Sequence, residues 1–117
     1  MTPNELQKKM QRSALRVIRL IESLPKTRTA TVIGNQLLDC ATSVGANYRA
    51  ACRGRSKADF ISKLGIVEEE ADESAYWLEI LVAAKVVKYN AVAELLKEAH
   101  ELTAIVAASR KTAKNNR

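Results

Sequence analysis

Lysine and arginine carry most of the chemistry available to this chain, and they are unevenly spread. Arg49, Arg53, Arg55 and Lys57 fall close together around a single glycine, Gly54. Lys8, Lys9 and Arg12 crowd the first stretch, and Arg110, Lys111, Lys114 and Arg117 crowd the last. Such groups suit phosphate: the arginine fork matches two phosphate oxygens at once, and lysine supplies a compact point charge. Of 117 residues, 19 are Lys or Arg and 13 are Asp or Glu, a formal net charge of +6. Residues 1–57 hold eleven cations against three acids, residues 58–101 four against ten, and residues 102–117 four against none.

Other chemistries find few parts. The run Glu68-Glu69-Glu70-Asp72-Glu73 offers carboxylates, but a di-iron bundle needs inward-facing Glu on two helices and Glu-x-x-His on two more. The chain has one histidine, His100, with Lys97 three residues before it. The same shortage removes a hydrolytic triad, and Gly54 alone makes no phosphate-binding loop. Cys40 and Cys52 lie 12 residues apart on one expected helix, roughly 18 Å at ~1.5 Å per residue, too far to bridge. They read as idle thiols. No enzyme, metal or cofactor is expected.

The elements that must hold these cations are helices. Apolar residues make up 47% of the chain, aromatics 4%, and there are only four Gly and two Pro, a composition that suits one helical domain better than a sheet sandwich. Four periodic segments follow, at about 3–24, 30–52, 57–83 and 91–113. Thr2, Pro3 and Glu5 open the first as N-cap, N1 and N3; Ser56 and Asp59 repeat the spacing before the third. The inward faces are Leu6, Met10, Ala14, Val17, Ile21 and Leu24; Ile33, Leu37, Ala41, Val44, Tyr48 and Ala51; Phe60, Leu64, Val67, Ala71, Ser74, Leu78 and Leu81; and Val92, Leu95, Ala99, Leu102, Val106, Ser109 and Ala113. The last two keep a 4-3 spacing, the seam of a bundle with left-handed packing. Connections of about four to seven residues force neighbours to run antiparallel, so the expected fold is all-α, an antiparallel up-down-up-down four-helix bundle spanning residues 1–117.

That topology sorts the charges. The start of helix 1, end of helix 2, start of helix 3 and end of helix 4 share one pole. Lys8, Lys9, Arg12, Arg49, Arg53, Arg55, Lys57, Arg110, Lys111, Lys114 and Arg117 gather there, opposed by Glu5 and Asp59. On helix 1, Lys8, Arg12, Arg16 and Arg19 form a stripe opposite the apolar face without acids between them, unlike an ordinary solvated helix back with mixed signs. On helix 3, Ile66, Glu73, Trp77 and Ile80 point about 120° or more from the seam. A monomeric bundle would then expose the only tryptophan, so these four residues are the expected face for another subunit.

The stretch Gly45–Leu81 resembles the four-helix bundle proteins encoded within intervening sequences of bacterial 23S ribosomal RNA genes, also labelled S23 ribosomal proteins. The carriers are Asn47, the turn Arg53-Gly54-Arg55-Ser56, the start Asp59-Phe60-Ile61, and Ile66-Val67-Glu68-Glu69-Glu70 followed by Asp72-Glu73 and Tyr76-Trp77-Leu78-Glu79. Weaker agreement runs from about Leu6 to Ala113. Where much of the family has an acid three positions after the asparagine, this chain has Ala50, preceded by Arg49, so its corner is more basic. The resemblance implies a helical bundle assembled as a ring, commonly a homopentamer, with no known enzymatic activity. It also implies a relation to the accessory proteins of diversity-generating retroelements, which bind RNA and a reverse transcriptase.

The expected function is therefore a non-enzymatic, ring-forming bundle that binds RNA or another nucleic acid through phosphates at its basic pole, with little sequence preference. The alternative is a structural or adaptor oligomer whose partner is an acidic protein. No run of 18 apolar residues is present and Met1 is followed by Thr-Pro-Asn-Glu, so neither a membrane span nor a secretory signal is expected and the reading is cytoplasmic.

Overall fold

Each helix begins and ends for a local reason. Thr2 accepts a hydrogen bond from the Glu5 N–H at 3.1 Å, with Pro3 at the first helical position where a missing N–H costs nothing. Thr27 accepts from Ala30 N–H at 3.2 Å and Ser56 from Asp59 N–H at 3.1 Å. The computed structural model describes residues 1–116. It contains α1 (Pro3–Glu22), α2 (Arg28–Cys52), α3 (Lys57–Ala83) and α4 (Tyr89–Asn115). The first helix stops two residues before the expected Leu24, because Ser23 and Leu24 turn back onto Leu20 and Ile21 before Pro25 is reached. The last helix is longer than its periodic core by two residues at each end.

Contacts between helices fix their directions. Lys9 meets Glu101 while Arg16 meets Glu94 and Glu98, so α1 rises as α4 falls. Arg110 meets Glu68 while His100 faces Glu79, which orients α3 against α4. Cys40 meets Ser74 between α2 and α3, and Gly45 packs on Met10 between α2 and α1. The bundle is all-α and antiparallel, packed between consecutive helices and closed more loosely between α1 and α4. It measures 50 × 20 × 20 Å.

Two apolar clusters fill its interior. Near the basic pole, Leu6, Met10, Val44, Tyr48, Ala51, Leu64, Val67, Leu102 and Val106 pack together with Phe60 and Ile105 against them. Toward the other end, Val17, Ile33, Leu37, Leu78, Leu81, Val92 and Leu95 form the second cluster, covered by Trp77, Ile80, Val86 and Val87 among others. Small side chains lie between the two: Ala41, Ala71, Ser74 and Ala99 line a void of about 20 Å³. Every expected α2 core residue is buried, whereas Ala14, Ile21, Leu24, Phe60, Ser109 and Ala113 are only half-buried.

The turn after α3 shows a departure from the usual helix ending. Lys85 sits at φ 61, and Val86 and Val87 donate back to the Leu81 carbonyl at 3.0 and 3.3 Å. This left-handed position normally belongs to glycine, because a Cβ is crowded there. Holding Val86 and Val87 against the second cluster offsets that strain. Replacing Lys85 with Gly should therefore raise stability by roughly 0.5–1 kcal/mol, read as a higher urea midpoint at unchanged slope. A lower midpoint would show that the lysine side chain, not the backbone, holds the turn.

Candidate nucleic-acid interface

The corner at Gly54 builds the site. A Cβ on Gly54 would lie 2.8 Å from Asp59 Oδ2, displacing that carboxylate, and 3.0 Å from the Ala51 carbonyl, a tight contact. Glycine thus lets α2 end and α3 begin within four residues. Between them opens a groove of about 660 Å³ lined by Arg49, Arg53 and Arg55, with Lys63 and Asp59 on the α3 wall and Ala46 and Ala50 on the α2 side. Arg49, Arg53 and Arg55 are exposed and form no ion pair among the described residues. Asp59 bonds Lys63 Nζ at 2.7 Å, and that bond, with the nearby Arg55, holds its carboxyl below the ordinary range despite some desolvation. The groove accordingly carries an anion at neutral pH but a clear cationic excess.

The other expected pole residues divide into two sets. Lys8, Arg12, Lys57, Lys111 and Lys114 are exposed without an ion pair among the described residues. Lys9 and Arg110 are occupied: Lys9 reaches Glu101 at 3.4 Å, and Arg110 reaches Glu68 at 3.4 Å while its guanidinium lies beside Gly65. These two are half-buried struts between helices. Arg117 lies outside the described residues. The α1 stripe needs a similar correction, since Arg16 pairs with Glu94 at 3.0 Å and Glu98 at 3.7 Å. The acids missing from α1 itself are supplied by α4.

Of the aromatics near this pole, Phe60 is half-buried against the first cluster, while Tyr48 is buried at 6% exposure and its phenol is pushed up to about 12 by burial and by the neighbouring Cys52. Tyr48 can neither stack on a base nor exchange a proton at neutral pH. Lys63 was not among the expected binding residues, although its spacing from Asp59 along α3 puts both on one wall. A second groove, about 430 Å³, lies between α1 and α2 and shares Ala46 and Arg49 with the first. Its rim carries Lys8 together with Asn4, Gln7 and Gln11, whose uncharged side chains leave no cationic signal in the sequence.

The expected subunit face is changed most. Trp77 and Ile80 are half-buried and packed against the second apolar cluster, and Trp77 Nε1 is enclosed without a hydrogen-bond partner. The 120° offset did not expose them because neighbouring helices cover the flanks of α3 as well as its seam. Ile66, at 41%, and Tyr76, at 53%, are the large apolar side chains left open on α3, with Glu73 exposed between them. Tyr76 meets Trp77 edge-on at 5.0 Å, so it rather than Trp77 presents an aromatic surface.

Cys40, Glu70 and Glu73 bring a sulfur and two carboxylates within 4.8 Å of one another. Burial pushes the Cys40 thiol up, only partly opposed by its bond with Ser74, and the thiol also points to the Leu37 carbonyl. The thiol is therefore protonated at neutral pH and makes a poor metal ligand. Cys52 is free and exposed. None of the described helices is long and apolar enough to cross a membrane.

Four antiparallel helices with a cationic corner define an all-α bundle built around a polar end. The chain belongs to the 23S rRNA-intervening sequence protein family, whose model matches residues 3–108. A crystal structure of a protein of unknown function from the S23 ribosomal protein family of Bacteroides thetaiotaomicron is similar, with 32% identity and a TM-score of 0.87. The alignment covers 95% of this chain and 99% of that one. No curated protein matches the chain.

Glu70 gives this region a pH signature. Burial first, then Glu73, Glu69 and Asp39, raise its carboxyl above the ordinary range. Its charged form is therefore less stable in the folded protein than in the unfolded chain, whose carboxyl titrates near about 4.3. Glu70→Gln should raise the thermal midpoint at pH 7. The gain should shrink as pH falls through the raised folded value and vanish below the unfolded one, where wild-type Glu70 is protonated in both states. A gain independent of pH would assign the effect to packing.

Proposed function

We propose that this protein is a non-enzymatic, ring-forming bundle that binds RNA or another nucleic acid through phosphates at its basic pole. The observation that carries this reading is the open arginine groove: Arg49 on the last turn of α2, and Arg53 and Arg55 in the turn that follows it, face solvent without ion pairs among the described residues. Structural cations would be expected to resemble Lys9 and Arg110, each tied to a carboxylate of another helix. Lys8, Arg12, Lys57 and Lys111 extend the cationic surface around the pole. Lys and Arg on phosphates release condensed counterions and bind without reading sequence. The chain would act in the cytoplasm.

Assembly belongs to the same proposal. Ile66 and Tyr76, flanked by Glu73, offer another copy an apolar contact with a polar rim, and Trp77 and Ile80 support it from beneath. Five copies about an axis along the bundles would set their basic poles on one face, so that modest single sites combine through effective concentration. The competing reading, an adaptor whose pole meets an acidic protein, makes the same ring and differs only in what the groove holds.

Salt separates the two. If six phosphates are neutralised on single-stranded RNA, log K should fall against log salt with a slope of about −4. Changing Arg49, Arg53 and Arg55 together to Gln should weaken binding and reduce the slope by up to about three units. Lys26, Arg28 and Lys88, at the other pole, supply the charge-matched control, whose conversion to Gln should do little. Equal losses from both variants would reduce the effect to net charge, and absence of RNA binding would leave the adaptor reading. For assembly, sedimentation equilibrium should give a mass near five times 12.9 kDa. Ile66→Glu with Tyr76→Glu should dissociate it without unfolding, since both side chains are exposed; a wild-type monomer overturns the ring.

A further inference from the structure

The two grooves at the pole differ in kind and meet on one helix. Arg49 and Ala46 line both. On the α3 side the walls are cationic. On the α1 side, Asn4, Gln7 and Gln11, spaced three and four residues apart, stand along one face of α1 above a floor that includes Met10, Ala14 and Gly45, with Lys8 the one cation that α1 adds to the lining. Their carboxamides make no hydrogen bond to another described residue, whereas nearby Thr42 is already committed to the Leu38 carbonyl at 2.7 Å. An amide both donates and accepts. Phosphate only accepts, but the edges of bases and the hydroxyls of ribose do both, so an unpaired amide face over an apolar floor suits a base and its sugar better than a second phosphate.

Resting on the nucleic-acid reading above, we infer that a single-stranded segment crosses α2 at Ala46, with its phosphates in the arginine groove and a base with its sugar in the amide groove. Ala46 is exposed and small, and forms a low saddle between the two grooves, with Arg49 beside the crossing. The path runs over three helices, two interaxial steps of about 8–10 Å each, which is room for a few nucleotides. The amide groove has the volume in which small ligands are held, about 300–1,000 Å³. A duplex cannot follow this route, because its bases are paired and stacked inward while its phosphates present a convex surface. The site thus selects single strands. Among them, it favours segments that can turn a base out, adenine above all, since Asn and Gln pair with two atoms on its edge.

Fluorescence anisotropy with a labelled single-stranded RNA, the same sequence in a duplex, and inorganic polyphosphate as a base-free polyanion tests this on the full chain. Gln7→Ala with Gln11→Ala should weaken single-strand binding about tenfold while leaving the salt slope and polyphosphate binding unchanged. Ala46→Leu, an exposed change that leaves the amides in place, should also weaken single-strand binding by closing the saddle. The Arg49, Arg53 and Arg55 variant should lose polyphosphate as well. Wild-type affinity for the duplex equal to that for the single strand overturns the inference, as does an amide variant that binds single strands normally or loses polyphosphate equally. Failure of the wild-type protein to bind any of the three probes overturns the underlying nucleic-acid reading, a distinct result.

Discussion

The close approach at Gly54 is the constraint on which the arrangement of the pole depends. With the Asp59 carboxylate 2.8 Å and the Ala51 carbonyl 3.0 Å from where a Cβ would stand, a side chain at position 54 would push that carboxylate aside and press on the backbone of the turn. Because the turn is so short, α2 and α3 must lie side by side from their junction onward, and their walls define the arginine groove. A longer or bulkier connection would splay the two helices. Arg49, three residues before the end of α2, would then no longer face Lys63 on the first turns of α3. Local sterics at one residue thus bear on the spacing of charges carried by two different helices.

Concentrating cations at one end has an electrostatic cost, and the fold meets it selectively. Carboxylates of α3 and α4 neutralise those cations that lie between helices, Lys9 through Glu101 and Arg110 through Glu68. Half-burial makes these pairs more consequential than surface pairs, because an unpaired charge at such a position would be poorly solvated. The outward cations need no such partner: water and salt screen them within about 10 Å. Helix dipoles add a smaller bias, favourable for Arg49 at the end of α2 and unfavourable for Lys57 at the start of α3, where Asp59 restores a negative charge. Pairing therefore separates structural cations from available ones, although both types read alike along the chain.

That separation also marks what the sequence makes legible. Periodicity with short connections suffices for four antiparallel helices, since each helix must hide one apolar stripe. Caps at Thr2 and Ser56 locate two of the starts. Long-range pairing is not written locally, so Arg16 looks like part of an acid-free stripe until α4 brings Glu94 and Glu98 beside it. Trp77 shows the same limit from the apolar side: an angular offset on one helix indicates exposure only if no neighbour occupies that direction, and here the second apolar cluster does. Asn4, Gln7 and Gln11 had a visible 3-4 spacing, but polar residues on a helix back carry no signal until a groove gives them a common space.

The position of the grooves bears on how a weak site could be made effective. Both sit over the first apolar cluster, where Tyr48, Leu64 and Val67 are buried, so their walls rest on a continuous apolar core. The small-residue layer and its void lie farther down the axis, between the clusters. Whatever freedom that layer permits therefore leaves the spacing of Arg49, Arg53 and Lys63 largely fixed. Rigid walls limit the ordering cost of binding to that of the ligand and a few exposed side chains. In the proposed ring the ligand's own cost falls as well, because after one segment is held the next pole meets a tethered strand at high effective concentration. Strong overall binding can then coexist with rapid exchange at each groove, a combination suited to holding a flexible strand without fixing its register.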